Sequence, residues 1–206
     1  MQLIKDTWEI LTEKYKIGNA IAQQTYWGII NAYSQKNRHY HNLVHITDLL
    51  EQTNKMKNEL QNIDNVYFAI FFHDIVYKAT AKNNEEQSAI FAQKAMEKIE
   101  TISLEQIKKV VDYILATQKH LPNAQDADCQ FFLDADLSIL ASEPARYQLY
   151  TQQIRKEYSI YPDFIYKNGR KKALISFLER EKIFHFYKEG KEKQARENIE
   201  NEIDKI

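Results

Sequence analysis

The feature that most constrains this chain is a stretch of core-like sequence with ionisable groups inside it. From Val66 to Tyr77 the residues run VYFAIFFHDIVY, apolar nearly all round, as in a helix that passes through the middle of a core. His73 and Asp74 sit within that run. A carboxylate there is costly unless a cation or strong hydrogen bonds meet it. The same conflict recurs between Cys129 and Leu140, where CQFFLDADLSIL carries Asp134 and Asp136 at its centre. Twice, acid is placed in core.

The remaining sequence supplies helices to surround these two segments. Gly (4) and Pro (3) are scarce, which disfavours many short strands joined by tight turns and predicts an all-α fold. Two helices are expected between Trp8 and Ala32, broken near Gly18-Asn19. A third begins near Tyr40 and carries His41 and His45. Asn83 and Glu86 have capping-box spacing ahead of a helix with Ala92, Ala95, Met96 and Ile99 inward. Another helix turns Ile107, Val110, Val111, Ile114 and Leu115 inward and ends near Thr117 to His120, before Pro122. Pro144 marks a further start, Asn168-Gly169 is expected to turn the chain, and the last helix faces Ala195, Ile199, Ile203 and Ile206 inward. No linker-like stretch divides the 206 residues, so one domain spanning 1–206 is the expectation.

Charge and cysteine content narrow the function classes. With 28 basic against 29 acidic residues, no global field draws the protein to nucleic acid or an anionic membrane, and neither is expected as a partner. Cys129 has no second cysteine to pair with, and no signal peptide or membrane-length apolar run is evident, so a soluble cytoplasmic protein is expected. The oligomeric state is left open.

His41 and His45 are four residues apart, a spacing that places two side chains on one face of a helix. The adjacent His73 and Asp74 can converge only on a point beside their helix axis. A metal ion at that point satisfies both observations.

The order Tyr40-His41-Asn42, His45, His73-Asp74 and Ala135-Asp136-Leu137 resembles the HD-domain superfamily of phosphohydrolases. RHYHNLVHI, FFHDIVY, NNEEQSA, FLDADLSIL and IRKEY are most similar to its predicted bacterial metal-dependent phosphohydrolases. The resemblance implies a divalent metal held by His45, His73, Asp74 and Asp136, with His41 as general acid. Asp134 remains an alternative to Asp136, or an acceptor from a ligand histidine. YHNLVH is also similar to the signature of cyclic-nucleotide phosphodiesterases. Their purine-clamping Gln has no counterpart here, so that specificity is not carried over.

Two imidazoles and two carboxylates without a thiolate suit six-coordinate Mn²⁺, Fe²⁺, Co²⁺, Ni²⁺ or Mg²⁺, and also Zn²⁺, as one ion or a pair. Such an ion acidifies a water and polarises a phosphoryl oxygen, and Asp74 serves both the metal and the reacting centre. Glu85 stands either as a helix-start residue or as the group that orients the attacking water. His120 is either a helix-end residue or a contact to substrate or a second metal. Arg38 and Arg155 are the preferred grips for phosphate. The expected function is hydrolysis of a small phosphate ester, a nucleotide or related metabolite. The alternative is a non-catalytic module that senses a metal or nucleotide.

Overall fold

Segments with helical periodicity become helices almost everywhere. The computed structural model of the chain describes residues 1–123, 125–187 and 189–206. It is all-α: ten α-helices and one 3-10 turn, with no strand among the described residues. Two compact units, residues 1–133 and 134–206, are each described by itself.

The first unit contains α1 (Gln2–Lys14), α2 (Asn19–Tyr33), α3 (Leu43–Lys55), α4 (Ile63–Phe72), α5 (Asn84–Met96), α6 (Leu104–Ala116) and the first turns of α7 (Ala127–Asp136). Its centre is α4, in which every residue from Asp64 to Phe72 is buried and which packs on α3, α5 and α6. The Trp8 ring of α1 meets Phe68 and Phe71 edge-on at 6.4 and 5.6 Å. Each such side chain contributes on the order of 1.5–3 kcal/mol by leaving water. Asp64, buried in the first turn of α4, accepts from the Tyr15 hydroxyl at 2.8 Å and pairs with Lys14. The positive end of the helix dipole favours an anion at that place.

Near the site, two element boundaries differ from the sequence expectation. The core helix stops at His73 rather than running on to Tyr77. Beyond it, side chains take the backbone groups that another helical turn would have used. Likewise α3 begins at Leu43, with the Asn42 side chain capping it by accepting the Val44 amide at 2.8 Å. His41 therefore precedes the helix that carries His45. Asn83 makes no side-chain cap to α5. Asn84 instead reaches back to Lys78, accepting from its amide and donating to its carbonyl, both at 3.0 Å.

The second unit holds the 3-10 turn Leu137–Ala141, α8 (Pro144–Glu157), α9 (Asp163–Leu178) and α10 (Glu189–Ile203). Pro144 occupies the first turn of α8, as its fixed φ favours. Tyr147, Tyr150 and Ile154 are buried. The turn expected at Asn168-Gly169 does not form: α9 runs straight through both residues. One helical glycine costs only about 1 kcal/mol, which the rest of the helix outweighs. Asn198 anchors α10 to the 3-10 turn by donating to the Leu140 and Ser142 carbonyls at 2.9 and 2.7 Å. Glu202 accepts Arg170 at 2.8 and 3.0 Å and the Tyr147 hydroxyl at 2.5 Å. Among the described residues, no helix is long and apolar enough to cross a membrane.

Candidate metal centre

His45 projects from the first turns of α3, His73 caps the C-terminal end of α4, and Asp136 is the last residue of α7. The limit between the two units falls within α7, so Asp136 is carried by a helix whose first turns belong to the first unit. Each of the three residues offers one ligand atom, and these atoms lie within 4.8 Å of one another. Both histidines are buried. A His-His-Asp group of this kind can hold a metal ion.

The protonation pattern around His73 sharpens this. Its Nδ1 lies 2.9 Å from the Ile70 carbonyl, which can only accept, so Nδ1 carries a proton. In the neutral ring Nε2 then presents a lone pair. That lone pair faces His45 Nε2 at 3.1 Å and Asp74 Oδ2 at 3.3 Å. A neutral His45 can meet that lone pair with an Nε2–H, and a bound cation would be met by both nitrogens as lone-pair donors. Two nitrogens each about 2.1 Å from one ion, at roughly a right angle, stand about 3.0 Å apart. The observed separation of 3.1 Å fits that arrangement.

Asp74 lies beside the triad rather than within its mutual distance. Its Oδ2 also stands 4.0 Å from His41 Nε2. His41 reaches the site although it is outside the helix: its ring is 5.9 Å from that of His45, edge to face, and 4.6 Å from that of Tyr77. The four-residue spacing of the histidines does bring them together. The Asn42 cap, rather than a shared helical face, accomplishes it.

Asp134 has a different occupation. Its carboxylate accepts the amides of His185, Phe186 and Tyr187 at 2.6–2.9 Å, binding a loop of the second unit. Burial raises its pKa, and the three amide donors offset only part of that rise. It is Asp136, not Asp134, that joins the two histidines.

Arg38 is buried, and its guanidinium is committed to the protein. Nη1 donates to the His41 and Asp74 carbonyls at 3.3 and 2.6 Å, and Nη2 to the Ile75 carbonyl at 3.1 Å. Arg155, in the second unit, is similarly engaged by Asp163 and by the Tyr158 and Tyr161 carbonyls. It lines a cleft of about 920 Å³ that shares no residue with the triad. Glu85 stands half-buried in the first turn of α5, and His120 lies past the end of α6 with left-handed backbone at φ 47°. Neither joins the triad.

Sequence reasoning assigned no role to the groups that hold the loop after Asp74. The Tyr33 hydroxyl accepts the Asp74 amide at 3.0 Å. Ser88 Oγ accepts the Val76 amide at 3.1 Å and donates to its carbonyl at 3.2 Å, while Asn84 does the same for Lys78. The spacing of Asn84 and Ser88, one turn apart on α5, was the available signal. No protein-family model and no curated protein matches the chain.

Proposed function

We propose that the chain is a metal-dependent phosphohydrolase of the HD type, acting on a small phosphate ester such as a nucleotide. The observation that carries this is the convergence of His45, His73 and Asp136, with the His73 lone pair turned towards the shared point by the Ile70 carbonyl. Asp74 completes the donor set, its carboxylate 3.3 Å from His73 Nε2. When bound, a divalent ion supplies Lewis acidity, lowering the pKa of a water and polarising a phosphoryl oxygen. His41 is the proton donor to the leaving oxygen. It lies at the edge of the group, its Nε2 4.0 Å from Asp74 Oδ2. Buried Tyr40 and Tyr77 flank the histidines and limit access of bulk water.

A panel of mononucleotides, dinucleotides, cyclic nucleotides and sugar phosphates, assayed with Mn²⁺, Co²⁺, Ni²⁺ and Mg²⁺, tests the proposal. Metal-dependent release of phosphate or of a nucleoside monophosphate is expected from at least one class. Metal uptake with tight nucleotide binding and no turnover across the panel would instead mark a sensing module.

A further inference from the structure

Arg38 precedes His41 by three residues, yet its side chain spans two separate segments of the first unit. It bonds the His41 carbonyl just ahead of α3 and the Asp74 and Ile75 carbonyls just after α4. Those two segments carry His41 and His45 on one side and His73 and Asp74 on the other. The guanidinium lies 4.9 Å from the Tyr33 ring and 5.5 Å from the Tyr77 ring. Only 5 % of the residue is exposed. Its Nε is buried with no hydrogen-bond partner, a cost accepted in a side chain whose other two nitrogens are bonded to carbonyls. Tyr33, besides stacking, holds the Asp74 amide, so the Asp74 peptide is gripped at its N–H by one residue and at its C=O by the other.

We infer that Arg38, together with the Tyr33 hydroxyl, is a positioning device for the metal centre rather than a grip for substrate phosphate. The inference rests on the metal reading proposed above. A guanidinium already spent on three carbonyls has little to offer a phosphate. What it can do is fix where His73 and Asp74 leave α4 relative to the residues that lead into α3. Lysine cannot replace it, because a single ammonium has neither the planar fork that bonds these carbonyls through two nitrogens nor a flat face to lay against a ring.

The test is a Co²⁺ titration of the whole chain, followed by absorption and calorimetry, with melting of the metal-free protein measured in parallel. Arg38→Lys should keep its helical circular dichroism and lose Co²⁺ affinity by about tenfold to a hundredfold, the scale for removing a support behind metal ligands. Tyr33→Phe should shift affinity in the same direction. Asn198→Ala removes a comparable brace in the second unit; it should lower the melting temperature and leave Co²⁺ affinity unchanged. If Arg38→Lys fails to fold, Tyr33→Phe decides alone. Unchanged Co²⁺ affinity in a folded Arg38→Lys, or in Tyr33→Phe when it stands alone, overturns the inference. A wild-type chain that takes up no Co²⁺ would overturn the metal reading itself, and this inference with it.

Discussion

The Nε2 atoms of His45 and His73 face each other at 3.1 Å inside the first unit, with the far nitrogen of His73 tied to the Ile70 carbonyl. Without a cation, a neutral His45 can fill the contact by donating its Nε2–H to the His73 Nε2 lone pair. A bound divalent ion replaces that proton, so metal affinity should fall as pH drops and both imidazoles compete for protons. Saturating Co²⁺ or Mn²⁺ should raise stability, by about 2.7 kcal/mol at a hundred times the dissociation constant. Thermal melting with and without ion measures this, and His73→Ala should abolish the shift. An identical shift in His73→Ala would place the ion elsewhere.

His41 and His45 should separate cleanly. His45→Ala removes a ligand, so metal content and turnover fall together. His41→Ala should keep its metal and lose turnover by about 10²–10⁴-fold, the scale for a positioned general acid. The loss should be much smaller on a p-nitrophenyl ester, whose leaving group needs little protonation. Equal losses on activated and unactivated esters would remove His41 from the acid role.

The two aspartates of DAD should fail in different ways. Asp134→Ala leaves the amides of residues 185–187 without their acceptor and should cost on the order of 1–3 kcal/mol or more in urea unfolding. Asp136→Ala should weaken metal binding. Reversed behaviour would exchange their roles.

Cys129 and Asp126 give a test that is independent of metal. Burial pushes the Cys129 thiol up to about 12, so it should resist disulfide-exchange reagents at neutral pH until the chain unfolds. Rapid labelling of native protein would contradict its placement. Burial acts to raise the Asp126 pKa, but Lys109, Tyr113 and the Cys129 amide together hold it below the ordinary value. Its contribution is therefore present above the unfolded pKa of about 4 and lost as pH falls through the folded value. Asp126→Asn should flatten the acid limb of the stability profile.

Much of the fold was legible because apolar period and breakers agree: the break at Gly18-Asn19, the Pro144 start and the inward face of α5 all appear, and α6 buries Ile107, Val110 and Ile114 but leaves Val111 half-buried and Leu115 exposed. That His73 and Asp136 belong to a group able to hold a metal was legible because ionisable groups inside apolar runs demand partners. The end of α4 was not. It depends on Arg38 and Ser88, 36 and 12 residues from the groups they capture, and no local pattern reports such a contact. Between Asp134 and Asp136 only the family resemblance favoured Asp136, the one that joins the histidines; periodicity alone could not choose, since two steps along a helix turn a side chain through about 200° and sequence does not say which way the helix faces. The carbonyl partners of Arg38 were hidden too, because composition reveals a charge but not its neighbours.

Asn84 and Ser88 hold Lys78 and Val76 by both N–H and C=O. Four residues of helix advance about 6 Å, and two residues of extended chain advance roughly 6.6 Å. The first turns of α5 thus act as a ruler laid against the segment that leaves Asp74, each mark matching alternate peptides. Such a ruler tolerates slack between its ends but no slip along its length. An extra residue between 79 and 83 merely lengthens the return loop. The same residue inserted between 76 and 78 would put the two captured peptides out of step with Ser88 and Asn84.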